Sequence, residues 1–270
     1  MLFYFFVLVL FGMLFLFIIV FRIIEPAYMM IFNKPLYLYF YLFPKKLTTK
    51  QKQILVDEFP FYRKLSSRKK IYFEHRVKAF STHYQFVGKE ALLVTDEMRV
   101  LIAGTYVLLT FGMRDYLVDL FKTILVYPSV YFSTVNQEYH KGEFNPMMKV
   151  VAFSWEDFLL GHKTTNDNVN LGLHEFSHIL HFNCLKSNNP SAIIFFDEFN
   201  KVVEYYEDEN LNKKLSSNGY FREYAYENQF EFIAVVLEHF FETPQIFKSN
   251  YPQLYQNVSA MINFEEEYFK

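Results

Sequence analysis

The first twenty-one residues differ from the rest of the chain in their pattern of polar and apolar positions. From Leu2 to Phe21 no residue is charged, and the run reads LFYFFVLVLFGMLFLFIIVF. A helix of this length, at about 1.5 Å per residue, crosses a hydrocarbon core of about 30 Å. The run has neither the basic start nor the small-residue cleavage site of a signal peptide, and it lacks the polar stripe of a soluble helix. The pattern therefore predicts an uncleaved transmembrane helix.

Basic residues follow this run, whereas only the α-amino group precedes it. They are Arg22, Lys34, Lys45, Lys46, Lys50 and Lys52. Because Lys and Arg are retained on the cytoplasmic side, we expect the rest of the chain to face the cytoplasm. The stretch Ala27 to Phe43 is rich in Tyr, Phe and Met but is broken by Lys34 and Pro35. It predicts an interfacial aromatic segment rather than a second span.

Helical patterns dominate the remaining chain, which shows no internal repeat and no linker. The predicted helices are one that Ser67 caps and that runs to His83, then Thr95–Phe111, Trp155–Leu160, Val169–Phe182 with Asn166 or Asp167 as its cap, Ser191–Tyr206, Glu227–Phe241 and Pro252–Phe264. The β-branched run Thr123–Tyr127 predicts a strand. Tyr131–Tyr139 and Met147–Phe153, on either side of a turn-like HKGEFNP, predict a hairpin.

These elements predict an α+β fold, mostly helical with a small sheet, after one transmembrane helix. We divide the chain into an anchor at residues 1–24, an aromatic juxtamembrane segment at 25–44 and a single domain at 45–270. Apolar residues make up 52% of the chain and the net charge is -2, so the concentrated basic surface of a nucleic-acid-binding protein is not indicated. The single cysteine, Cys184, cannot form an internal disulfide.

One short motif indicates metal chemistry. His174, Glu175, Phe176, Ser177 and His178 spell H-E-x-x-H. On a helix, residues i and i+4 share one face, so the two imidazoles can hold one Zn²⁺ together. Glu175 beside them can take a proton from a metal-bound water. Five letters alone also fit two ordinary histidines on an amphipathic helix, because Leu173, Ile179 and Leu180 supply an apolar face.

A catalytic zinc site needs a third protein ligand. The other histidines show no shared pattern with the motif: His75, His83, His140 and His162 lie upstream, and apolar residues flank His239. Glu231 and Glu238 are seven residues apart and share one face of the predicted helix Glu227–Phe241. A carboxylate among Phe230, Phe232 and Ile233 is costly to bury without a cation. The residues alone favour Glu231 as a ligand only slightly over a solvated acidic stripe.

Several segments in order carry a family resemblance. They are FPFYRKLS at Phe59–Ser66, TDEMRVLIAG at Thr95–Gly104, ILVYPSVY at Ile124–Tyr131, FSWEDFLLG, the LHEFSH block and ENQFEFIAVVLEHFFETPQIF. With them the sequence resembles the Mlc titration factor A family of zinc peptidases, whose catalytic domain is similar to that of anthrax lethal factor. The resemblance extends from about Leu47 to Phe264, nearly everything after the apolar run, and implies a zincin-like peptidase domain.

The resemblance also implies the roles of individual residues. It makes His174, His178 and Glu231 the zinc ligands and Glu175 the catalytic base. Asn228 matches the asparagine that precedes the family's third ligand, although the usual N-P-x-E reads N-Q-F-E here. Tyr224, seven residues before Glu231, matches a tyrosine that stabilises the oxyanion in the lethal-factor relatives, and Tyr226 is the alternative.

One position departs from the family pattern. The family usually continues H-E-F-x-H-x-L-D, but His181 stands here in place of the aspartate. His181 is seven residues after His174, on the metal-bearing face. It could orient a metal ligand through a hydrogen bond, or it could be a harmless surface substitution.

Together these observations predict a membrane-anchored zinc peptidase that hydrolyses peptide or protein substrates. The resemblance suggests an aminopeptidase-like activity in which Glu175 activates a zinc-bound water. The alternative is a zinc-containing binding protein that sequesters a transcriptional regulator at the membrane, since family members are associated with capture of a repressor. A membrane scaffold is a third, weaker hypothesis.

Overall fold

A computed structural model describes residues 1–133 and 137–265 of the chain. It divides into two units, Met1–Leu38 and Tyr39–Lys270. The first unit contains α1 (Leu2–Ile19), a π-helical turn at Val20–Ile24 and α2 (Glu25–Phe32).

The N-terminal helical segment is longer than the apolar run predicts. It extends from Leu2 to Phe32, and its mean hydropathy reaches 3.0. None of the residues of α1 is buried. Asn33 ends the segment in a left-handed conformation with φ 49°, so the predicted aromatic segment Ala27–Phe43 is helical as far as Phe32. The helix is long and apolar enough to cross a membrane, a property that signal sequences share.

The larger unit is mostly helical, as the sequence predicts. Its helices are α3 (Thr49–Glu58), α4 (Pro60–Lys64), α5 (Ser67–His83), α6 (Asp96–Leu109), α7 (Trp155–Lys163), α8 (Leu171–Lys186), α9 (Pro190–Glu207), α10 (Glu209–Ser217), α11 (Gln229–Glu242), α12 (Pro244–Asn250) and α13 (Pro252–Met261). A 3₁₀ turn, Glu223–Tyr226, lies before α11.

The strands form one mixed sheet and one short hairpin. They are β1 (Gln85–Gly88), β2 (Thr123–Tyr127), β3 (Tyr131–Ser133), β4 (Glu138–His140), β5 (Gly142–Asn145) and β6 (Val150–Ser154). The sheet has the order β1-β2-β6-β5. β1, β2 and β6 are parallel, and β5 pairs antiparallel with β6 at the edge. β3 and β4 pair with each other.

The predicted hairpin between Tyr131–Tyr139 and Met147–Phe153 is wrong in its first arm. The antiparallel partner of β6 is β5, which lies inside the stretch interpreted as a turn. The turn falls later, where Asn145 Oδ1 accepts a hydrogen bond from Met148 N at 3.0 Å and Lys149 adopts φ 56°. Residues 134–136 of the predicted first arm lie outside the described residues.

Side-chain caps explain why several predicted helix starts agree with the structure. The Thr95 side chain accepts a hydrogen bond from Met98 N at 3.2 Å, so α6 begins at Asp96. Ser154 Oγ accepts one from Asp157 N at 3.3 Å, so α7 begins at Trp155. Short polar side chains accept hydrogen bonds from the otherwise unpaired N–H groups of the first helical turn. These helix starts can therefore be predicted from the sequence.

The motif helix α8 lies at the centre of the larger unit. It contacts α6, α7, α9, α11 and the strands β5 and β6. Phe176, fully buried, packs against Phe80 of α5, Tyr106 of α6 and Phe153 of β6, with ring centroids 6.1, 4.9 and 5.3 Å away. The apolar positions of H-E-x-x-H therefore anchor α8 in the core, and its two histidines face the opposite way, toward α11.

Candidate metal centre

Three side chains from two helices converge at one point. His174 and His178 project from α8, and Glu231 projects from the first turn of α11. Each offers one ligand atom, and these three atoms lie within 4.8 Å of one another. The sequence-predicted ligand set is thus brought together in space as a group that could hold a metal ion.

The distances within this group fit a single zinc ion. The two Nε2 atoms are 3.2 Å apart, His174 Nε2 is 3.0 Å from Glu231 Oε2, and His178 Nε2 is 3.6 Å from Glu231 Oε1. Ligand atoms about 2.05 Å from a tetrahedral zinc ion lie about 3.3 Å from each other. Oε2 of Glu231 is buried and, despite its short contact with His174, makes no hydrogen bond of normal geometry with the described residues. The three ligand atoms thus converge on one point.

The start of α8 is set by one asparagine. Asn170 Oδ1 accepts a hydrogen bond from Leu173 N at 3.0 Å, and its Nδ2 donates to Gly161 O and to Glu242 Oε1, both at 3.2 Å. The prediction of Asn166 or Asp167 as the cap and Val169 as the start is therefore wrong. Asp167 instead accepts a hydrogen bond from Val169 N at 3.1 Å, and this local turn ends before the helix begins.

The first turn of α11 carries Glu231, the candidate third ligand. Asn228 Oδ1 accepts hydrogen bonds from Phe230 N at 2.9 Å and Glu231 N at 3.1 Å. Asn228 is thus the cap of α11, and Glu231 occupies its third position. A carboxylate at this position is favoured by the positive end of the helix dipole. The asparagine before the third ligand has a structural reason here, since it fixes the helix start that orients Glu231.

A second carboxylate of α11 fixes the orientation of His174. Glu238, 1% exposed, places Oε1 3.0 Å from His174 Nδ1. A carboxylate can only accept hydrogen bonds, so Nδ1 carries the hydrogen and Nε2 is the atom left facing His178 and Glu231. Arg222 pairs with both oxygens of Glu238: Nη1 donates to Oε2, and Nη2 donates to Oε1 at 3.1 Å.

The carboxylates and the burial of this group shift the pKa values of its histidines and of Glu175. Burial opposes protonation of His174, but the contacts with Glu231 and Glu238 outweigh it and raise its pKa to about 10. Burial and the charge on His174 lower the pKa of His178 to about 4. Burial raises the pKa of Glu175 to about 7. A proton on His174 thus supplies the positive charge among these carboxylates, and a bound metal ion would replace it.

Glu175 lies beside the group and touches the edge strand. The side chain is buried, and its Oε1 would lie 2.7 Å from a Cβ built on Gly142 of β5, as would Leu171 Cδ1. The strand backbone therefore approaches Glu175 where a larger residue would displace it. The predicted base is held between its own helix and β5.

Of the two candidate tyrosines, only Tyr224 lies at the centre. Its ring is 5.8 Å from the His174 ring, and it lines the same cavity as His174 and Glu175. Burial, followed by the negative charge of Glu231 and a hydrogen bond with it, raises the pKa of Tyr224. Tyr226 packs against Phe232, and its buried hydroxyl has no hydrogen-bond partner among the described residues.

The cavity beside these residues has a volume of about 350 Å³ and is lined by both polar and apolar side chains. A cavity of this size holds a small peptide fragment. Its walls include Tyr139 and His140 of β4 and Asp157 and Leu160 of α7. Lys141, Asp167, Val169 and Arg222 also line it. His140 was not a candidate from the sequence, because it lies in a hairpin far from the motif along the chain.

His181 is not the surface substitution that one interpretation of the sequence proposes. It is 2% exposed, and its ring stacks on Phe230 at 4.6 Å and lies 4.3 Å from Phe199. Burial lowers its pKa to about 4. Its Nδ1 has no hydrogen-bond partner among the described residues, and its ring packs against those of Phe230 and Phe199.

The contacts of Glu238 and Arg222 beside His174 were not predicted from the sequence. The spacing of Glu231 and Glu238 places both on one face of α11, and that was the available signal. Arg222 carries no comparable signal, because its pairing with Glu238 depends on how the segment before the 3₁₀ turn folds back on α11.

Comparison with known proteins agrees with this geometry. A model of the family described as glucose-regulated metallo-peptidase M90 matches residues 41–262. The chain is also 28% identical over 239 residues to "Uncharacterized protein slr2042" of Synechocystis sp. (strain ATCC 27184 / PCC 6803 / Kazusa), an alignment that covers 80% of this chain and 84% of that protein. The family match spans most of the chain and includes all residues of the candidate centre. The chain therefore belongs to the glucose-regulated metallopeptidase family M90, the family of Mlc titration factor A.

Proposed function

We propose that this protein is a membrane-anchored zinc peptidase, aminopeptidase-like in its action, with His174, His178 and Glu231 as ligands. The observation that carries the proposal is the triangle of ligand atoms with edges of 3.0–3.6 Å beside a buried glutamate and a cavity. Two imidazoles and one carboxylate are a ligand set of catalytic zinc, which leaves a further coordination position open. The M90 membership supports a metallopeptidase.

Bound zinc would act as a Lewis acid that polarises the scissile carbonyl and makes water more acidic. Glu175, adjacent to His174 and open to the cavity, takes the proton from the attacking water and passes it to the leaving amine. Tyr224 donates a hydrogen bond to the carbonyl oxygen as negative charge develops there. Glu238 and Arg222 hold His174 in the orientation that presents Nε2.

The same proposal places the protein in the cell membrane with residues 45–270 in the cytoplasm. The support is the uncharged run Leu2–Phe21, the lack of any buried residue in α1 and the basic residues that follow. Substrates are then cytoplasmic peptides or proteins. Capture of a transcriptional regulator at the membrane is the competing function, and it requires no base beside the metal.

Changing Glu175→Gln should separate catalysis from metal binding. The amide keeps the shape of the side chain but cannot accept the proton, so hydrolysis should fall by about 10²–10⁴-fold while zinc stays bound. Glu231→Gln should instead weaken zinc binding. The measurement is zinc content and turnover of the purified chain on amino-acid anilides and short peptides. A parent that binds zinc and cleaves nothing, or a Glu175→Gln chain as active as the parent, would favour regulator capture.

Changing Glu238→Gln should weaken zinc binding without removing a ligand. Loss of the charged acceptor at Nδ1 leaves His174 poorly oriented, and such changes cost about 10–100-fold in metal affinity. Glu198→Gln is the matched control, since Glu198 is also buried but pairs with Lys201 on α9. Zinc affinity is measured by competition with a chelator. Equal affinities for the parent and both variants would contradict the role of Glu238.

Changing Tyr224→Phe should leave zinc in place and reduce turnover by about 10²–10³-fold, as for other donors to a developing oxyanion. Tyr226→Phe is the control and should leave turnover nearly unchanged, because Tyr226 does not line the cavity. Turnover of both variants on one anilide substrate decides between the two tyrosines. If Tyr226→Phe is the slower enzyme, the assignment is reversed.

A tag at the C-terminus should be protected from protease added to intact cells and should be cleaved once the membrane is permeabilised. The reason is the excess of Lys and Arg after the apolar run. A cytoplasmic protein and a tag on the opposite side serve as markers of membrane integrity. Release of a processed, soluble form outside the cytoplasm would contradict both the anchor and the orientation.

A further inference from the structure

Three phenylalanine rings form a continuous surface next to the metal centre. Phe144, Phe182 and Phe230 are here called the aromatic wall. The ring of Phe182 lies 5.6 Å from Phe144 and 6.1 Å from Phe230. His181 stacks behind Phe230 at 4.6 Å and is itself buried against Phe199. The wall thus joins residues of β5, α8 and α11, the three elements that build the centre.

Each residue of the aromatic wall lies close in the chain to a residue of the metal centre or to Gly142, which contacts Glu175. Phe182 comes one helical turn after His178, so both side chains leave α8 on the same face. Phe230 directly precedes Glu231. Phe144 lies two residues after Gly142 in β5, and alternate strand residues point to the same side, here toward Glu175. The wall therefore borders the ligands and the proposed base.

The wall rings are partly exposed, unlike the aromatic residues beneath them. Phe144, Phe182 and Phe230 are of intermediate exposure, whereas Phe199 and His181 are buried. When another apolar group covers apolar surface that is in contact with water, the free energy falls. The cavity beside His174 differs in character, because Lys141, Asp157 and Arg222 contribute charge to its lining. None of the three wall rings lines this cavity, so the wall and the cavity are chemically distinct surfaces.

We propose that the aromatic wall is a specificity site that binds an aliphatic or aromatic side chain of the substrate residue next to the scissile bond. This inference rests on the proposed peptidase function and adds the class of side chain that the centre accepts. The occupant is part of the substrate because the wall is continuous with the ligand residues on α8 and α11. His181, in the place where the family pattern has aspartate, extends the ring stack instead of adding an acidic group.

The test measures affinity for zinc-binding amino-acid hydroxamates, so it does not depend on turnover. The full chain, purified in detergent and loaded with zinc, is titrated with the hydroxamates of phenylalanine, leucine, alanine and aspartate. The phenylalanine and leucine compounds should bind on the order of tenfold more tightly than the alanine compound. Phe182→Ala should remove most of this preference and change the affinity for alanine hydroxamate by less than about twofold.

Further variants separate recognition from folding. Phe182→Leu keeps an apolar side chain and should retain most of the preference. Phe182→Lys should shift it toward aspartate hydroxamate, because the new ammonium group pairs with the carboxylate. Phe196→Ala, which removes a 38% exposed phenylalanine of α9, is the control and should behave as the parent. Zinc content and thermal unfolding of every variant show whether the centre is intact.

The outcomes distinguish this proposal from the proposed function. If the parent prefers apolar hydroxamates through Phe182 but cleaves no peptide, the wall is a binding site and the peptidase proposal fails. If the parent cleaves peptides while Phe182→Ala weakens the phenylalanine and alanine hydroxamates by the same factor, the wall proposal is wrong. Equal binding of all four hydroxamates to the parent would overturn it as well.

Discussion

The concentration of negative charge in a poorly solvated place is the constraint on which the rest of this structure depends. Glu175, Glu231 and Glu238 all approach His174, and none of the three is well exposed to water. Buried carboxylates are costly unless a cation or a proton compensates them. Arg222 compensates Glu238. The remaining charge favours a cation at the point where the two Nε2 atoms and the Glu231 carboxylate meet, and this group of side chains could hold a metal ion there.

The fold meets this constraint by fixing two helices separately and then packing them together. Asn170 sets the start of α8, and Asn228 sets the start of α11. Phe176 holds α8 in the core on the side away from the histidines. Glu242 at the end of α11 accepts hydrogen bonds from Asn168 N at 2.8 Å and from Asn170 Nδ2 at 3.2 Å. The start of the motif helix is therefore tied to the helix that carries the third ligand.

Local signals in the sequence were sufficient to place the two motif histidines on one helix face and to predict most helices. His174 and His178 are four residues apart, so they share one face of the helix whatever it packs against. Thr95 and Ser154 cap α6 and α7, as expected for their short polar side chains. The edge strand β5 was missed because a short stretch with glycine, asparagine and proline is typical of a turn. Its strand conformation comes from pairing with β6, a contact that no local pattern encodes.

The positions of the two tyrosines and of His181 depend on tertiary contacts, so the sequence alone could not predict them. The choice between Tyr224 and Tyr226 follows from the 3₁₀ turn, which directs Tyr224 toward His174 and Tyr226 toward Phe232. The burial of His181 follows from its contacts with α9 and α11, and the helical period alone does not reveal what covers that face. The absence of a side chain at Gly142 has a consequence for how this sequence can change over time. A Cβ there and the present position of the Glu175 carboxylate exclude each other. A larger residue at position 142 therefore requires the side chains of Leu171 and Glu175 to move, so a change at this position also alters the packing of a residue 33 positions later in the chain.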